Sequence, residues 1–80
     1  PGRLIVVIEH QHDRARFSVR NRAGEPPVGP ILARLADELA VRTGDAADGS
    51  GHATAGSARL PAAHDESFLA ALLAAFAASA

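Results

Sequence analysis

Eighty residues, a formal net charge of −1, no cysteine and three aromatic side chains, all phenylalanine, describe a chain with room for one small domain. A chain of this size buries only about 60% of the surface its unfolded form exposes, so its core is thin. Without cysteine it can build no disulfide framework, no thiolate metal site and no cysteine nucleophile, and thiol redox chemistry is excluded with them.

The charge is unevenly placed. From Pro1 to Arg22 five arginines face two acids, a net of +3, whereas from Ala23 to Ala80 three arginines face seven acids, a net of −4. No run reaches the roughly 18 to 20 apolar residues that cross a bilayer, and the first residues lack the basic, apolar and cleavage regions of a signal peptide. The expectation is a single domain over residues 1–80, soluble and cytoplasmic, with no membrane partner.

In chain order, the β-branched run Leu4-Ile5-Val6-Val7-Ile8 predicts a first strand between Arg3 and Gln11. Ala15 to Arg20 alternates apolar and polar residues at the strand period and predicts a second. A tight turn at His12-Asp13 makes them a hairpin in which Ile8 opposes Phe17, Val6 opposes Val19 and Glu9 opposes Arg16. In that register Leu4, Val6, Ile8, Phe17 and Val19 face the core, while Ile5 and Val7 lie on the opposite face and need a cover of their own.

Asn21 to Pro30 holds three prolines, which lack the N–H that a ladder requires, so the hairpin ends there. Pro30 suits a first helical turn, and Ile31 to Thr43 follows with Ile31, Leu32, Leu35 and Leu39 on one stripe. Gly44 is the expected stop. Gly44 to Ser57 is nearly free of large apolar side chains and is expected to be a flexible loop, although His52 to Leu60 has enough alternation to add a third strand on the hairpin edge. After Pro61, Asp65 is placed to cap a last helix with Phe68, Leu69, Leu72, Leu73 and Phe76 at spacings of three and four. The expected class is α+β, with the order ββα(β)α.

Three surfaces carry functional expectations. The last helix has no charged residue from Ser67 to Ala80, whereas a surface helix ordinarily sets charges opposite its core stripe. Phe68, Leu69, Leu72, Leu73 and Phe76 are therefore the expected contacts of a non-enzymatic assembly domain that self-associates or docks on a protein partner. As a first alternative, His10 and His12 share a strand face at metal-ligand spacing, and with Asp13 and His64 they would form a metal or acid–base site of a small enzyme if the fold gathers them. As a second, Arg14, Arg16, Arg20 and Arg22 would let the hairpin enter a nucleic-acid groove, against which stand the net charge and the lack of aromatics for stacking. The serines have no nucleophile-elbow context and the glycines no phosphate-binding fingerprint, and no cofactor is expected.

Overall fold

The computed structural model describes residues 4–78. The elements run β1 (Leu4–Gln11), β2 (Arg14–Asn21), α1 (Val28–Thr43), β3 (Asp48–Gly51), β4 (Ala55–Pro61), one 3₁₀ turn (Ala62–His64) and α2 (Asp65–Ala78). The four strands form one antiparallel sheet in the order β1-β2-β4-β3, so the architecture is α+β.

The hairpin follows from its pattern. Ile8 lies opposite Phe17, Val6 opposite Val19 and Glu9 opposite Arg16, and the two-residue turn is made with His12 at a φ of 57°. Alternation then sends Ala15, Phe17 and Val19 into the core, each at most 1% exposed, while Arg16 and Arg20 on the other face stay exposed.

The first helix begins at Val28, three residues before the start expected from Pro30. The reason lies in its amide groups. Pro27 stands at the N-cap position in extended conformation without a side-chain cap, but the N–H groups of Val28 and Gly29 donate to the carbonyls of Ala53 and His52 at 3.0 and 2.9 Å, and Pro30 has no N–H to satisfy. Backbone from the β3–β4 connection thus replaces the side-chain cap. At the other end Gly44 takes the left-handed conformation, with φ 77°, and its N–H donates to the Ala40 carbonyl.

The tract 44–57, expected as a flexible loop, contains β3 and the start of β4. Asp48-Gly49-Ser50-Gly51 has no apolar side chain to announce a strand, yet it pairs with β4 and lies under α1. Gly49 sits so near α1 that an added Cβ would stand 2.5 Å from the Leu32 carbonyl oxygen. Glycine at position 49, where α1 approaches, lets the helix rest on the strand's backbone. The possible third strand within His52–Leu60 is β4, which starts later, at Ala55, and joins the hairpin on the β2 side.

The helix α2 begins at Asp65, directly after the 3₁₀ turn, and residues 79 and 80 of the expected span lie outside the described residues. Phe68 and Leu72 are 2% and 0% exposed, and the Phe68 ring meets Phe17 edge to face at a centroid distance of 4.9 Å. Phe17, Val19, Val28, Leu32, Leu39, Leu60, Phe68 and Leu72 form the centre of the core. Both helices therefore cover the same face of the sheet. Among the described residues no helix is long and apolar enough to cross a membrane.

Candidate binding face

With both helices on one side, the other side of the sheet is open, and the strand register fixes what it displays. Across the strands from β1, one row reads Ile5, Arg20, Ala55. The next reads Val7, Ser18, Ser57, Ser50, and the third Glu9, Arg16, Arg59, Asp48. A fourth, at the hairpin end, reads Gln11, Arg14, Pro61. Ile5 and Val7 remain 52% and 50% exposed, so the cover they call for is not supplied by the described residues.

Four arginines (Arg14, Arg16, Arg20, Arg59) and two acids (Glu9, Asp48) give this face a net charge of +2. Set against the chain's −1, every other residue together carries −3. Arg14 donates to the Ala46 carbonyl at 3.2 Å. Arg16, Arg20 and Arg59 have no hydrogen-bond or ion-pair partner among the described residues. Arg16 and Arg59 moreover stand directly opposite one another, and like charges so placed destabilise a sheet. Two hollows meet at Arg16. One, of about 750 Å³, runs along the hairpin end from Glu9 to Arg16 and includes Arg59. The other, of about 330 Å³, includes Arg20, Ser18, Ser50 and Ser57. The arrangement is suited to receiving carboxylate or other anionic groups, with Ile5 and Val7 beside them as apolar contacts.

The hairpin arginines expected as one cluster are thus partly united. Arg14, Arg16 and Arg20 share the open face, while Arg22 lies in the turn beyond β2. Arg59 was not among the expected residues. Its only signal lay in the tract 52–60, where the β2–β4 register is needed to set it opposite Arg16.

The histidine set is not brought together. His10 is bound to Asp65 at 2.7 Å, tying β1 to the start of α2, and His64 is bound to Asp45 at 3.0 Å, tying the 3₁₀ turn to the chain after α1. His12 and Asp13 form the hairpin turn. Among the described residues no three His, Asp or Glu side chains are grouped to hold a metal ion. The end of the strand explains the split: His10 is still in β1, on the helix side with Ile8 and Val6, and reaches Asp65, whereas β1 stops at Gln11 and His12 turns away in the hairpin loop with φ 57°.

On α2, Phe68, Leu72 and Phe76 are buried against the sheet and α1, and they cannot reach a partner while the domain is folded. Of the five expected contacts, Leu69 is half-buried and Leu73 is 48% exposed. Leu73→Asp is accordingly expected to change stability by no more than about 0.5 kcal/mol, as at other exposed positions, in a urea unfolding curve. A much larger loss would show that Leu73 is covered in solution.

No family model matches this chain, and no curated protein matches it at a significant level.

Proposed function

We propose that this domain is a non-enzymatic binding module that docks an acidic protein surface on the open face of its sheet. The observation that carries the reading is the directly opposed pair Arg16 and Arg59, without ion-pair partners, on a sheet face that neither helix covers. An opposed cationic pair lowers the stability of the free sheet, and a partner carboxylate between the two guanidiniums relieves it. Ile5 and Val7 supply the apolar part of the contact, and the serine row keeps the middle of the face low. Protein is favoured over nucleic acid because Phe17, Phe68 and Phe76 are all in the core, which leaves no phenyl ring for base stacking, and because Glu9 and Asp48 flank the arginine pair at both ends of its row.

The test is a titration of isotopically labelled protein with poly-glutamate and, separately, with duplex DNA, followed by amide chemical shifts. Poly-glutamate is expected to move signals in β1, β2 and β4 around Arg16 and Arg59, with an affinity that falls as salt rises. Arg16→Glu together with Arg59→Glu is expected to weaken binding by about tenfold, since each exposed charge contact contributes up to about 1 kcal/mol and reversal adds repulsion. Absence of a response to poly-glutamate, a stronger response to DNA, or shifts confined to α2 would each overturn the reading.

A further inference from the structure

The strand β1 is an edge of the sheet, and from Leu4 to Ile8 it has none of the usual protections. The opposite edge, β3, is four residues long, carries an acid and two glycines, and lies under α1. The edge at β1 is eight residues long and includes five consecutive aliphatic residues, Leu4 to Ile8, without proline, glycine, charge or bulge. Natural sheets shorten, charge or cover such edges, because an unpaired row of N–H and C=O groups is a template for another strand.

The register shows which groups are free. The Asn21 N–H donates to the Thr54 carbonyl, and the Ala62 N–H donates to the Asp13 carbonyl, so the odd residues of β2 direct their backbone polar groups toward β4. Alternation in an antiparallel ladder then turns the even residues of β2, Arg14 to Arg20, toward β1, where they bond Gln11, Glu9, Val7 and Ile5. Leu4, Val6 and Ile8 consequently present their N–H and C=O groups outward at the edge. Their side chains are on the helix face but only half-buried, since the core layer ends there.

We propose that β1 pairs antiparallel with β1 of a second copy of this chain, about a two-fold axis at Val6, joining two four-stranded sheets into one of eight. The occupant is argued from self-complementarity. With Val6 opposite the second copy's Val6, Ile5 opposes Val7 and Leu4 opposes Ile8, so every pair in the five-residue ladder is aliphatic on both faces. A shift of the centre to Val7 would set Ile5 against Glu9 and Leu4 against His10. The outward groups of Leu4, Val6 and Ile8 then find partners in the same residues of the other chain, an isologous contact that closes at two copies. This pairing uses the backbone edge and leaves Arg16 and Arg59 free; it shares only Ile5 and Val7 with the docking face, so it is read by oligomeric mass and edge-amide exchange, and the docking by the response of the arginine variants to poly-glutamate.

Two measurements decide it. In the unmodified protein, amide hydrogen exchange at Val6 and Ile8 is expected to slow as protein concentration rises, while Val7 is protected at all concentrations by its bond within the hairpin. Light scattering is expected to give the mass of a dimer. For register, Ile5→Lys with Val7→Lys and, in a second chain, Ile5→Glu with Val7→Glu are expected to give folded monomers separately and a heterodimer on mixing, because these positions face outward and oppose each other across the axis. A monomer at millimolar concentration with rapid exchange at Val6 and Ile8 would overturn the proposal and leave the edge to a strand of another protein. A dimer that persists in both variants would overturn it in favour of another surface.

Discussion

Replacing Phe17 by alanine is expected to remove about 3 to 5 kcal/mol of stability, the range found when a buried phenylalanine is truncated. Phe17 is 0% exposed, near the middle of β2, between β1 and β4, with Ile8 and Ala58 as its cross-strand neighbours. Its ring meets Phe68 at 4.9 Å and 66°, the edge-to-face contact that joins the sheet to α2. The substitution therefore opens a cavity and also removes the aromatic contact that seats the last helix. At about 0.05 to 0.15 kcal/mol per residue, a domain of this length has a total stability near 4 to 12 kcal/mol, so the loss is a large share of it. Guanidinium unfolding followed by circular dichroism measures the effect. A double-mutant cycle with Phe68→Leu should return a coupling of about 0.5 to 1.5 kcal/mol for the ring pair. A loss below about 1.5 kcal/mol for Phe17→Ala would show that the core closes over the site, and that α2 is held chiefly by Leu72 and Phe76 against α1 and the sheet.

The hairpin was legible in the sequence because two constraints agreed. The alternation of Ala15 to Arg20 fixed which side chains face inward, and a two-residue turn at His12-Asp13 left one register compatible with the β-branched run of β1. The stripe of α2 was legible for the same reason at the helical period, since Phe68, Leu72 and Phe76 do enter the core. What the spacing did not reveal is that this stripe is used up by the fold. The opposite face of α2, with Ala70, Ala74 and Ala77, is open to solvent although uncharged, and charge alone could not distinguish that from an interface.

The strand β3 was illegible because nothing in Asp48-Gly49-Ser50-Gly51 has a side-chain preference for a sheet; its stability comes from pairing with β4 and from the helix above it. The open face was half legible. Its β2 arginines followed from alternation, but Arg59 joins them only through a pairing between segments some forty residues apart, which no local pattern encodes. The solvent exposure of Ile5 and Val7 likewise depended on α2 lying on the same side as α1, a choice that the two stripes left open.

Where helix propensity and packing disagree, Gly29→Ala separates them. Gly29 is in the first turn of α1, and alanine is favoured over glycine in a helix by about 1 kcal/mol, so propensity alone predicts a more stable protein. The surroundings predict the reverse. A Cβ built on Gly29 overlaps the carbonyl carbon and oxygen of Gly51 and stands 2.9 Å from the His52 nitrogen. All three are backbone atoms, so no side chain can rotate away. The helix and the β3–β4 connection would have to separate, and the Gly29 N–H bond to the His52 carbonyl, at 2.9 Å, would stretch with them. That movement would also lift Val28 and Leu32 from Gly56, against which both pack closely enough that even a methyl group there would crowd them. Overpacking of this kind costs about 1 to 3 kcal/mol and occasionally more; because the obstacle is backbone on both sides, a net loss of about 3 kcal/mol is expected after the propensity gain. Gly44→Ala is the control. Nothing lies within 4 Å of its added Cβ, and only the left-handed φ of 77° opposes it, at a cost of about 1 to 2 kcal/mol. Urea unfolding of the two variants should therefore rank Gly29→Ala as the more damaging, with faster amide exchange at Val28 and residue 29. A Gly29→Ala protein as stable as the original would mean that α1 rides on β3 loosely, and that glycine there is not what permits the strand to form.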